Sequence, residues 1–151
     1  MLNIVDVTQY LYPDDLASGR IKFYKPDENI LISQWSVDGV SQPTEQELLD
    51  YGVTHAREIS ISLLTQSCVV LIQNLLDSTA KSRNYYDAAS CISYATSSNL
   101  IWQSEAKCFI AWRDNVWNTA YTIYTTLSGN DEPMPTVEEV IAELPAIVWP
   151  N

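Results

Sequence analysis

His55 is the one imidazole of the chain, and Glu58 follows it at helical spacing. A His-based zinc site or a catalytic triad would have to rest on that single ring, because no second histidine exists to ligate or relay. A histidine on a helix surface explains the same pattern. Cys68, Cys91 and Cys108 stand among apolar or small residues and form no CxxC pair. Lys107, beside Cys108, is their one adjacent cation, so the three thiols read as small buried hydrophobes in a reducing compartment. The acid pairs Asp14-Asp15, Asp27-Glu28, Asp131-Glu132 and Glu138-Glu139 fall at turns or helix starts. Capping and solubility account for them, and nothing singles out a glycosidase-type pair. Neither GxGxxG nor GxxxxGK(S/T) occurs to cradle a phosphate. The expectation is no enzyme, with no catalytic residues, no metal and no cofactor.

Aromatic side chains are the more informative feature. The chain holds five Trp and nine Tyr, densest between Trp102 and Tyr124. Such rings either fill a core or anchor an interface, where Trp, Tyr and Arg carry binding energy. Trp102, Trp112, Arg113, Trp117, Tyr121 and Tyr124 are therefore the candidate partner-binding residues. Arg113 has Trp117 four positions on, within reach of a cation–π stack. In so apolar a helix its guanidinium also needs a carboxylate, and Asp77, Asp87 and Glu105 are the candidates for such an internal staple.

These residues need elements to position them. No proline lies between Thr44 and Glu132, in a stretch rich in Leu, Ala, Ile and Ser, which predicts helices there. Prolines cluster toward the two ends, predicting irregular or β structure. Ile4–Tyr10 reads as a short apolar segment closed by a turn at Tyr12-Pro13-Asp14-Asp15. Ile21–Tyr24 and Ile30–Val37 read as a β-hairpin around a turn at Pro26-Asp27-Glu28-Asn29. Thr44 with Glu47 forms a capping box opening a helix to about Lys81, with a break near Gly52. Along it Ile61, Leu64, Cys68, Leu71 and Leu75 make a 3–4 seam, either a core stripe or an oligomer contact. A second helix is expected over Tyr85–Ala95. A third, capped by Ser104, runs to Leu127 with Gly129-Asn130 as its stop. It is expected to pack on the first, with Trp112, Val116 and Ile123 inward. Thr136 caps a short helix to about Leu144, before an extended end. The fold class is thus α+β, an N-terminal β-hairpin unit followed by a mainly α-helical hairpin or bundle. Its expected domains are 1–43, 44–130 and 131–151.

With 151 residues the chain suits one domain or two small modules, and 46% hydrophobic against 18% charged residues argues for a globular protein. Its 19 acids outnumber 8 bases, for a net charge of −11. That opposes a tight grip on nucleic-acid phosphates or an anionic membrane surface. The apolar window Ile59–Leu76 contains Ser60, Ser62, Thr65, Gln66, Ser67, Gln73 and Asn74, so membrane insertion is not expected. No signal peptide is expected either, because no basic residue precedes the first apolar run.

Two stretches carry a resemblance. The first is Tyr10-Leu11-Tyr12-Pro13-Asp14, then Ile32 to Trp35, then Gln42-Pro43-Thr44-Glu45-Gln46-Glu47-Leu48. It resembles small phage and prophage tail proteins with the order YxYPx, I-x-x-W and PQPTEEEL. Ser41 stands where those have proline. The second runs Leu75 to Asp87, Ser93-Tyr94-Ala95, Glu105-Ala106 and Ala111-Trp112-Arg113-Asp114-Asn115-Val116-Trp117, with Pro135 to Glu139 and Glu143-Leu144-Pro145 later. It resembles the helical module of phage tail fibre assembly proteins, with Asn84 in place of a glycine and Leu100 in place of a proline. The resemblance implies a tail fibre assembly chaperone or fibre-associated tail protein, with a phage tail fibre protein as partner and no enzyme activity. It would act in the host cell cytoplasm during assembly, with retention in the virion tail left open. The alternative is a structural virion component, a fibre or baseplate connector, that forms a homo-oligomer through the long helix. A polysaccharide-binding or polysaccharide-cleaving accessory is a third reading of the same rings.

Overall fold

The computed structural model describes residues 2–25, 29–129 and 133–150. The fold is α+β, a two-stranded antiparallel hairpin near the N-terminus with helices before and after it. The chain forms two compact units, Met1–Leu63 and Leu64–Asn151, whose boundary falls inside one long helix. This division differs from the three segments expected from sequence. Residues from 44 onward join the hairpin's unit because Leu48 and Ile59 share a core with Ile4 and Val7. The C-terminal helix joins the second unit because Val140 is part of that unit's core.

The first unit opens with α1 (Ile4–Leu11), where irregular or β structure was expected. Asn3 decides this, since its Oδ1 accepts from the Val5 and Asp6 amides while Asp6 accepts from the Asn3 amide. The spacing Ile4, Val7, Thr8 then buries one helical face, with the Thr8 hydroxyl donating to the Ile4 carbonyl. The turn expected at Tyr12–Asp15 is instead the start of α2 (Pro13–Ala17), with Pro13 in the first helical turn, where its missing N–H costs nothing. Strands β1 (Ile21–Tyr24) and β2 (Leu31–Trp35) pair as expected, with β2 shorter at both ends and an irregularity between Lys22 and Phe23. Pro26, Asp27 and Glu28 of the expected turn lie outside the described residues. The predicted capping box opens α3 (Glu45–Thr54), and its hydrogen bonds to Thr44 hold the Glu47 carboxyl below the usual carboxylate range. The helix breaks at His55 rather than Gly52. His55 caps the C-terminus, stacked on Tyr51 at 4.0 Å with Nδ1 3.1 Å from the Tyr51 carbonyl oxygen. Gly52 serves close packing, because a Cβ there would stand 2.8 Å from Cγ2 of buried Val7.

The second unit is helical. Its core takes Cys68, Ile72, Leu76 and Ala80 from α4 (Ala56–Lys81), and Ala88 and Cys91 from α5 (Ala88–Ser93). Phe109, Trp112 and Val116 come from α6 (Leu100–Gly129), and Val140 from α7 (Val137–Ala142). The buried α4 stripe advances by fours, not by the expected 3–4 alternation. Leu71 of the seam is 41% exposed, Leu64 and Leu75 are half-buried, and Ile61 is buried in the first unit. A straight helix has 3.6 residues per turn, so a short stripe need not keep the 3.5 period of a coiled coil. After α4, Asn84 adopts the left-handed conformation (φ 66°), where glycine is the usual residue. The helix expected over Tyr85–Ala95 is shorter, because Asp87 caps at its start and a 3₁₀ turn, Tyr94–Thr96, ends it. The start of α6 is the clearest correction. Asn99, not Ser104, caps it, its Oδ1 accepting from the Ile101 and Trp102 amides at 3.0 and 3.4 Å. Asn130 of the expected stop lies outside the described residues. Thr136 and Glu139 form the capping box of α7, which ends earlier than Leu144.

Candidate functional site

Three of the six aromatic and Arg candidates converge. Trp117, Tyr121 and Tyr124 lie one helical turn apart on α6 and line a groove of about 270 Å³. Facing them on α4 are Leu64 and Cys68 of the expected seam, with Val69 and Ile72, and Val140 of α7 also contributes. From sequence the rings read as partner-binding, and Leu64 and Cys68 as part of either a core stripe or an oligomer contact. The fold puts both sets on opposite walls of one groove, while Ile61, Leu71 and Leu75 do not line it. The walls are almost wholly apolar, the kind of surface that takes an apolar chain segment.

The other three candidates lie elsewhere. Trp112 is buried, its Nε1 donating to the Pro145 carbonyl at 2.7 Å and its ring edge-on to Phe109, so it is core and not partner surface. Arg113 forms neither the expected Trp117 stack nor an internal staple. Its Nε and Nη2 both donate to Oδ1 of adjacent Asp114, a partly exposed pair of small energetic value. The acids proposed for it are engaged otherwise. Asp77 accepts from the Ala88 amide, Asp87 caps α5, and Glu105 accepts from the Tyr85 hydroxyl at 2.8 Å and pairs with Arg83 at 3.5 Å. Trp102, exposed at the opposite end of α6, packs edge-on against Tyr94.

One arrangement escaped the sequence. Arg83 lies over the Trp149 ring at 5.1 Å, and Trp149 stacks on Phe109. Together with Trp112 to Pro145 and Cys108 Sγ to the Val148 carbonyl, these contacts bind the C-terminal segment to α6. Helical spacing could not show this Arg–Trp pair, because its members come from the turn after α4 and the C-terminal segment.

Burial raises the Cys68 thiol above its ordinary pKa, and burial first, with Glu105 adding to it, pushes Cys91 up to about 11. Burial, then the hydrogen bond to Glu105, raises the Tyr85 phenol far above its usual range. Among the described residues no group of three or more His, Cys, Asp or Glu could hold a metal ion. Against the sequence expectation, α4 is long and apolar enough to cross a membrane by length and composition. Its stripe from Cys68 to Ala80 nevertheless packs in the core of the second unit. No family model, curated protein or solved structure matches the chain.

Proposed function

We propose that this chain is a tail fibre assembly protein of a tailed phage, which holds an apolar segment of a fibre polypeptide until the fibre chains register. The observation that carries this reading is the groove in which Trp117, Tyr121 and Tyr124 face Leu64, Cys68 and Val69. Rigid aromatic rings opposite aliphatic side chains bind a partner's apolar residues at small entropic cost, and no reacting group is needed for that task. The sequence resemblance in the Ala111–Trp117 run and in the residues around Thr44 and Thr136 supplies the kind of partner. The protein acts in the host cytoplasm during assembly.

Co-expression with a fibre polypeptide encoded in the same genome tests it. Soluble trimeric fibre should appear with the wild-type chain and fall sharply with a Tyr121→Ala/Tyr124→Ala variant. Both rings are exposed, so that variant should keep its circular dichroism spectrum. Equal amounts of soluble trimer with and without this chain would refute the proposal. Mass spectrometry of purified virions separates a released chaperone from a connector that stays in the particle.

A further inference from the structure

Residues 133–150 are tied to the rest of the second unit by side chains. The backbone hydrogen bonds around α7 close within the segment itself, Val140 to Thr136, Glu143 to Glu139 and Leu144 to Ile141. Beyond Leu144 there is no helix or strand, and among the described residues no backbone–backbone hydrogen bond joins 145–150 to another element. Instead α6 reaches out to it. Trp112 Nε1 donates to the Pro145 carbonyl, and Cys108 Sγ donates to the Val148 carbonyl, the weaker kind of donor. Ile147 and Trp149 pack on the core, while Val148 between them is 85% exposed. Arg83, in the turn after α4, lies over the Trp149 ring.

We propose that residues 133–150 form a flap that opens from α6 while α4, α5 and α6 stay folded, with Arg83 on Trp149 as its latch. Opening breaks few hydrogen bonds, because the ladders of α4 and α6 lie wholly within those helices and survive it. A helix of six residues does not hold in water by itself, so α7 owes its order to docking and loses it on leaving. Segments of this kind open below the free energy of global unfolding. Val140 belongs both to this segment and to the groove lining. Opening therefore removes part of one groove wall and bares the apolar surface behind it, including Phe109 and Trp112. The flap is a property of the protein alone and stands whether or not a fibre segment fills the groove.

Hydrogen exchange of the full chain, followed by nuclear magnetic resonance, tests it. The Trp112 indole N–H reports directly, since its acceptor is the Pro145 carbonyl and its residue is buried. Its signal is the one missing from Trp112→Phe. In the wild-type chain this N–H should exchange faster than the backbone amides of Phe109 and Val116. Its rate should also rise less steeply with urea, because opening exposes less surface than unfolding. Arg83→Gln, at a side chain 40% exposed, should speed the indole about 2- to 5-fold. Asp87→Ala removes the cap of α5, which stays folded when the flap opens. It should speed the α6 amides about fivefold and leave the indole rate unchanged. An indole that shares the rate and urea dependence of the α6 amides overturns the proposal, as does one that accelerates with them in Asp87→Ala. Fast indole exchange that Arg83→Gln does not alter also overturns it, because the ring would then meet water without release of the latch.

Discussion

Trp112 shows how one side chain sorts between core and interface. Its ring is buried and its Nε1 satisfies the Pro145 carbonyl, so Trp112→Ala should cost about 3–5 kcal/mol in chemical denaturation. Trp112→Phe, which keeps most of the ring but drops the hydrogen bond, should cost about 1 kcal/mol or somewhat more. Unchanged melting in the alanine variant would remove the indole from the core. Cys91 gives a pH signature. Its thiol titrates at about 11 in the folded protein and near 9.0 ordinarily. The unfolded chain thus loses that proton first, and the stabilisation is complete below pH ~9 and lost as pH rises toward about 11. The shifts of Cys68 and Tyr85 run in the same direction. Thermal melting followed from neutral to alkaline pH should therefore fall, and Cys91→Ala should make that fall shallower by up to one proton's worth of slope. An identical slope in the variant would contradict the assigned burial. At this level the sequence identified which residue types matter but not their partners, as Arg113 and Arg83 show.

Two helix starts were legible from a cap and its reciprocal acid three residues apart, whereas Asn3 with Asp6, spaced the same way, opens a helix the sequence reading lacks. Thr44 with Glu47 and Thr136 with Glu139 are both found in the structure. The start of α6 was misread because serine at position 104 has the right chemistry, and no acid or glutamine at the reciprocal position separates it from Asn99. Asn99 wins because its carboxamide oxygen reaches two free amides, which adds a turn to the helix. Asn99→Ala should then lower stability by about 1 kcal/mol, whereas exposed Ser104→Ala should change it little. A larger loss at Ser104, measured by urea titration, would restore the sequence assignment. The second N-terminal helix differs from the expected turn for a related reason. Pro13 suits a turn, but the first turn of a helix tolerates it equally.

Two separate cores give the molecule two centres of stability, one around Val7, Leu48 and Ile59 and the other around Ile72, Phe109 and Val116. Gly52→Ala probes the first. Alanine is the better helix former by about 1 kcal/mol, but its Cβ would crowd stiff, fully buried Val7. Overpacking of this kind costs about 1–3 kcal/mol, so the net effect should be destabilising. Hydrogen exchange should show faster exchange in α1 and α3 with protection in α6 retained. Uniform loss across both units would mean that they unfold as one.

The local code set the hairpin strands, the caps at Thr44 and Thr136, the helical middle of the chain and the absence of charge along parts of α4 and α6. Each of these depends on neighbours within a few residues. Long-range packing settled which face of α4 is buried, that Trp112 is core, that Arg83 rather than Arg113 meets a tryptophan, and that the aromatic residues and part of the apolar seam line one groove. Such pairings depend on where distant segments come to lie, and a helical period constrains the spacing of a stripe without naming the element that covers it.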